Sequence, residues 1–171
     1  MTDNIIKLNK DNILRLKIQT NEGIDTGEML EFQLDDIELP LKYQDLVEKD
    51  KKNKEHLKNQ ITIIEKRQDV KGKKLLSKNQ EDEIKALNDF FNKEKEVYNM
   101  FLGDNGMEKL LNGRKMSWTT LQEIDAIIEK QIIPYMKENA KSIKEQIKEK
   151  YDTSKFIKKD EEKIEVIEWV A

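Results

Sequence analysis

The side chains that could do chemistry in this sequence are a single histidine and three short groups of carboxylates. His56 lies in a polar stretch beside Glu55 and Lys58, and the 171-residue chain has no cysteine. A zinc site built on His56 would need carboxylates for its other ligands, a set that zinc seldom uses. We therefore expect His56 to be solvated rather than to bind a metal.

The carboxylate groups lie within residues 35–38, 81–83 and 160–162. They could coordinate Mg²⁺, but a chain with 39% charged residues produces such groups by composition alone. The turn at 103–106 is too short for a calcium loop, and neither a Walker A nor a GxGxxG pattern occurs. We expect no catalytic residue, no cofactor and no metal site.

Composition also limits the kinds of partner. The net charge is only −3, and the lysine-rich stretches 49–58 and 71–78 lack aromatic residues that could stack on bases, so we expect no nucleic-acid partner. The apolar runs are about three residues long against the ~20 that cross a bilayer, and the N-terminus has no apolar leader. These features predict a soluble, untargeted protein without a membrane partner.

The elements that would position any site begin with two alternating segments. Apolar residues alternate at Leu14, Leu16 and Ile18 and again at Leu30, Phe32 and Leu34. The polar, glycine-containing stretch 21–27 separates the two segments, which predicts a β-hairpin. Because an isolated hairpin is marginal in water, its apolar face should lie on a helix or on another subunit's strand.

Helical periodicity follows the hairpin. Pro40 opens a predicted helix over 41–67, cap residues at 77–81 open a second that ends at Gly103, and 107–111 form one short turn. A third long helix runs to Tyr151, with a capping box formed either by Thr120 and Glu123 or by Thr119 and Gln122, and with a kink at Pro134.

The predicted fold is therefore α+β and predominantly α. It has an N-terminal β-hairpin, three main helices plus a short one, and a flexible C-terminal tail. We divide the chain into an N-terminal extension at 1–12, a single mainly helical domain at 13–151 and a charged tail at 152–171, whose end is unusually apolar.

Low hydrophobicity, with a mean hydropathy of −0.85, indicates helices with narrow apolar stripes that need a partner to cover them. The candidate partner-binding residues lie on two helical faces and in the tail: Phe91, Tyr98, Phe101, Ile124, Ile128, Tyr135, Ile164, Val166 and Trp169. Core packing is the other interpretation of the helical aromatic residues. For the tail, a third strand beside the hairpin and a strand added to a partner's sheet both stay open.

The aromatic helix end and glycine-containing turn over 90–111, followed by the helix opening Trp118-Thr119-Thr120-Leu121, resemble the tail assembly chaperone-like proteins of siphophages that infect Gram-positive bacteria. The resemblance covers roughly residues 30–151. The residues before Ile13 and the charged, Trp169-containing tail depart from it.

The resemblance implies a helical, self-associating protein made in the cytoplasm of the bacterial host. It would bind the tape measure protein and help to recruit the tail tube protein, without remaining in the mature virion. No catalytic residue is carried over. The alternative is a small phage regulatory or anti-defence protein that binds and inhibits a host protein, because a charge-dense helical surface suits that role equally.

Overall fold

A computed structural model describes residues 12–151 of the chain, with the side chain of Tyr151 left out. The predictions for residues 1–11 and for the tail at 152–171, including Ile164, Val166 and Trp169, lie outside the described residues.

The predicted hairpin is confirmed. Strand β1 (Ile13–Gln19) pairs antiparallel with β2 (Asp25–Gln33), with Leu14 opposite Phe32 and Leu16 opposite Leu30. The register shifts once, between Lys17 and Gln19. One face of the pair is buried against the helices, as the alternation predicted.

The two longest helices follow the hairpin. Helix α1 (Leu39–Glu65) has Pro40 in its first turn, where proline's missing N–H is not needed, and α2 (Lys78–Leu102) packs against α1 along its length. Ser77 caps α2, since its hydroxyl accepts from the Gln80 N–H and the Gln80 side chain accepts from the Ser77 N–H. Both helices therefore lie where the periodicity predicted, with ends that differ by one or two residues.

The loop between these helices is fastened by Asn79. Its side-chain amide donates to the carbonyls of Ile64 at 3.1 Å and Arg67 at 3.2 Å. These carbonyls belong to the last turn of α1 and to the loop just after it, and the Ile64 carbonyl also accepts from the Arg67 N–H at 3.0 Å. The start of α2 thus satisfies the end of α1.

The chain reverses at Gly103, whose φ of +92° is a conformation that suits glycine. Helix α3 (Gly106–Leu111) then packs on the end of α2 and against β2. A Cβ added at Gly106 would lie 2.5 Å from the Leu102 Cβ, so this close approach requires glycine.

The third long helical segment has three parts: α4 (Trp118–Ile127), a π-helical turn (Ile128–Ile132) and α5 (Ile133–Tyr151). The predicted capping boxes at Thr119 and Thr120 are wrong. Ser117 is the N-cap and Thr120 stands at the third helical position, because Ser117 is extended and its hydroxyl accepts from the Thr120 N–H. A kink was predicted at Pro134; the structure has the π-helical turn ending two residues before this proline, which has no N–H for an intrahelical bond.

The buried apolar residues form one continuous cluster with contributions from the hairpin and the helices. The fold is α+β and mainly helical, as predicted. Within residues 12–151, no helix has an apolar stretch long enough to cross a membrane.

Candidate functional site

A surface groove of ≈ 550 Å³ lies between α1 and α2 and is closed at one side by the start of α4. Its lining residues are Lys54, Leu57, Lys58, Ile61, Thr62, Glu65, Glu83, Leu87 and Trp118. The floor is apolar and the borders carry charges of both signs. This arrangement suits an amphipathic helix better than a small polar substrate.

Helical spacing places these side chains together. Leu57 and Ile61 are one turn apart on α1, and Glu83 and Leu87 are one turn apart on α2. Because the two helices pack side by side, Leu57 and Ile61 of α1 line the same groove as Leu87 of α2, with Glu83 at its border. The groove is therefore built from rigid helices rather than from loops.

Trp118 is the aromatic anchor of the groove. The Ser117 cap fixes the first turn of α4, and the Trp118 ring lies 5.1 Å from the Phe90 ring and 5.3 Å from the Phe91 ring. Yet 46% of Trp118 remains exposed. A tryptophan held by neighbours on one side and open on the other is typical of residues that dominate binding energy at interfaces.

Lys54 keeps a positive charge at the groove. Its Nζ donates to the Asp50 carboxylate at 2.8 Å. Burial lowers the pKa of Lys54, but the hydrogen bond and attraction to Asp50 outweigh burial, so the pKa stays above its ordinary value. This border of the groove therefore carries the Lys54–Asp50 ion pair.

Four of the predicted partner-binding residues lie in the core instead of on the surface. Tyr98, Phe101, Ile124 and Ile128 are buried. The Tyr98 hydroxyl donates to the carboxylate of Asp125 on α4 at 2.5 Å, so the two predicted faces lie against each other. Their use as a partner surface does not fit this burial, and the core-packing interpretation of the buried aromatics is confirmed.

The other two predicted residues are at least partly exposed but lie on different helices. Phe91 is half-buried and contacts Trp118 at the end of the groove. Tyr135 on α5 is 46% exposed and does not line the groove. Of the described predicted residues, therefore, only Phe91 joins the groove's aromatic cluster.

Leu57, Ile61 and Leu87 follow the helical apolar periodicity of the sequence, but that periodicity does not show that they line a shared groove. The available signal is that each has a charged residue one turn away, at Lys54, Lys58 and Glu83 respectively. Such mixed spacing marks the edge of a buried stripe. It does not reveal which helix lies beside it.

The candidate chemical groups have structural roles or lie in solvent. His56 is exposed, and within the described part of the chain no group of three or more histidine, aspartate or glutamate side chains is placed to hold a metal ion. The Glu38 N–H donates to Asp36, which lowers the pKa of Asp36, with help from Lys42. Asp82 accepts from Lys78 and Arg67.

A second, smaller cleft lies between the end of the hairpin and α5. Its volume is ≈ 160 Å³, and Leu34, Ile37, Pro40 and Met136 are among its lining residues. The side chain of Asn139 on α5 donates to the Leu34 carbonyl beside it. This cleft is less open to a helix than the groove between α1 and α2.

Comparison with known proteins leaves the groove as the main guide to function. No protein-family model, curated protein or solved structure matches the chain.

Proposed function

We propose that the protein is a non-enzymatic phage tail assembly chaperone. It acts in the cytoplasm of the bacterial host, where it binds the tape measure protein and helps to recruit tail tube subunits without remaining in the mature virion. The observation that carries this proposal is the apolar groove between α1 and α2, anchored by the half-exposed Trp118.

The groove has the chemistry that a long helical client requires. An amphipathic helix can place its apolar side chains on Leu57, Ile61 and Leu87 while its own charged flanks meet the Lys58 and Glu83 borders. An apolar floor with charged borders lets the client bind reversibly and limits the exposed apolar area of the free protein.

Helix α5 offers a second surface, which a protein that brings two others together needs. Residues 141–150 are exposed apart from the half-buried Ile143, and Ile147 is 47% exposed one turn further on. These two side chains continue the line of the buried Met136. We assign this stripe to binding of the tail tube subunit or to self-association. Light scattering after size-exclusion chromatography measures self-association directly.

Co-expression with the tape measure protein of the same genome tests the proposal. We expect a complex and a gain in the solubility of the tape measure protein. Trp118→Ala and Ile61→Glu should each weaken binding at least about tenfold, since an anchor residue contributes about 2 kcal/mol or more. Leu75→Ala is the matched control, because Leu75 is 93% exposed and does not line the groove.

Circular dichroism and thermal unfolding of each variant separate lost binding from lost folding. Absence of a complex and of any solubility gain with the wild-type chain would refute the chaperone role. Recovery of a stable complex with a host enzyme, combined with its inhibition, would instead favour the regulatory or anti-defence function.

A further inference from the structure

Behind the groove, polar side chains meet in the interior where α1 crosses the middle of α2. Glu94 of α2 is 0% exposed, and its Oε1 accepts from the side-chain amide of Asn53 on α1 at 2.7 Å. Asp50, one turn before Lys54 on α1, accepts from the Lys54 ammonium at 2.8 Å through Oδ2. Each carboxyl group thus has one oxygen that is satisfied.

The other two oxygens are the unusual feature. Glu94 Oε2 and Asp50 Oδ1 are both buried, and within the described residues neither has a donor from another group. The two carboxyl groups lie within hydrogen-bonding reach of each other. Two ionised carboxylates cannot stay in contact in a medium that excludes water, because the repulsion and the lost hydration add together.

A single proton shared by the two carboxyl groups removes this repulsion. If Glu94 is protonated, its O–H donates to Asp50 Oδ1, while Lys54 donates to the other Asp50 oxygen and Asn53 donates to the remaining Glu94 oxygen. Every oxygen of the pair then has a partner, as buried polar groups require.

We propose that Asp50 and Glu94 form a carboxyl–carboxylate pair that holds one proton at neutral pH, and that losing this proton at alkaline pH weakens the packing of α1 on α2. The device is a pH-sensitive latch between the two longest helices. It depends on the fold alone and does not rest on the proposed chaperone function.

The charged and titratable groups around the pair come from all three helices packed there. Lys54 faces it from α1, Tyr98 lies one turn beyond Glu94 on α2, and Asp125 on α4 accepts from Tyr98. Asp125 and Tyr98 are themselves affected by burial, which raises the pKa of both groups. The Lys54 charge lowers the pKa of Glu94 only in part, because its direct ion pair is with Asp50.

The electrostatic environment of the pair leads to the same conclusion. Burial, with the repulsion of Asp50, raises the pKa of the Glu94 carboxyl from its ordinary value of 4.5 to about 8. Between these values the folded protein retains a proton that the unfolded chain has released. Stability therefore falls as pH rises from about 4.5 to about 8, and the loss is complete above that range.

Thermal unfolding between pH 6 and pH 9 tests the latch with the full chain. We expect the wild-type Tm to fall by at least about 5 °C over this range, because each kcal/mol shifts Tm by about 2–4 °C in a protein of this size. Glu94→Gln should have a nearly constant Tm, since the amide donates to Asp50 at every pH. Glu96→Gln is the matched control on the exposed side of the same helix, and it should follow the wild type.

A second measurement reads the proton directly and does not need a folded variant. In the wild-type protein labelled with ¹³C at glutamate side-chain carboxyls, one resonance should titrate with a midpoint near 8. The proposal fails if every glutamate is already ionised at pH 6. It also fails if Glu94→Gln keeps the pH dependence of the wild type.

Discussion

Helices α1 and α2 are joined by different chemistry at the end near the hairpin and at their middle. At the hairpin end the contact is aromatic and apolar. The Phe101 ring lies 5.5 Å from Tyr43 on α1 and 5.7 Å from Phe32 on β2. Met107 of α3 closes this end and is 0% exposed.

At the middle the same two helices meet through Asp50, Asn53 and Glu94. Burial of apolar area stabilises regardless of pH, whereas a buried carboxyl pair stabilises only while it retains its proton. One helix pair can therefore combine an apolar contact that is independent of pH with a polar contact that depends on it. The groove lies beside the conditional part, since Lys54 belongs to both.

The largest effect is expected at the apolar end. Phe101→Ala should lower the free energy of unfolding by about 3–5 kcal/mol, because it removes a ring that contacts two others and leaves a cavity. Urea unfolding at pH 6 and at pH 8.5 should give the same loss. The neighbouring Met100→Ala, at a residue that is 56% exposed, should change stability by no more than about 0.5 kcal/mol. A loss for Phe101→Ala that changed with pH would break the distinction between the two regions.

The next effect lies at the edge of the polar region. Tyr98→Phe deletes the hydroxyl that donates to Asp125 and should cost about 1–3 kcal/mol at neutral pH, because a half-buried carboxylate loses its donor. Burial already raises the pKa of Asp125, and losing the donor raises it further. The cost should therefore shrink as pH falls and Asp125 is protonated. Tyr135→Phe, at an exposed tyrosine, is the control, and an equal cost at pH 4 and pH 7 would contradict this account.

Much of the apolar end could be predicted from the sequence and little of the polar region. The alternation that includes Leu30 and Phe32 indicated the hairpin, and the spacing of Phe91, Tyr98 and Phe101 indicated a helical apolar face. These patterns show that a face is buried but not what covers it. Tyr98 and Phe101 therefore suited a partner surface until the packing of α2 against α4 and the hairpin was known.

The sequence spacing places the residues of the polar region on buried helical faces, but this spacing can be interpreted only once the structure is known. Glu94 lies four residues after Phe90 and four before Tyr98, so it stands on a buried face, and Asp50 and Asn53 stand likewise between Leu46 and Leu57. In a chain with 39% charged residues, one charge on an apolar face has the same appearance as a solvated edge. Only the side-by-side packing of the helices brings these residues into contact.

Outside both regions, loss of the Ser77 cap should have an intermediate effect on the free energy of unfolding. Ser77→Ala removes the hydroxyl that accepts from the Gln80 N–H at the start of α2 and should cost about 1 kcal/mol. Its cost should not depend on pH between 6 and 9, since neither Ser77 nor Gln80 titrates there. Ser77→Thr should restore most of the stability because threonine also caps helices. Denaturant unfolding of the three proteins measures the effect, and a larger loss than for Tyr98→Phe would reverse the expected order.

The smallest effect comes from two ion pairs on α1 with the same spacing. Lys52 and Glu48 lie 3.3 Å apart with side chains 69% and 65% exposed, whereas Lys54 and Asp50 lie 2.8 Å apart and the Asp50 side chain is 18% exposed. Lys52→Gln should cost only about 0.3–0.5 kcal/mol, and 1 M salt should abolish that cost by screening. Lys54→Gln should cost more and keep its cost in salt, because its carboxylate partner is mostly shielded from water. Equal and salt-sensitive losses of stability for both variants would show that the middle of α1 is as solvated as its outer face. The polar region would then not differ electrostatically from the exposed surface.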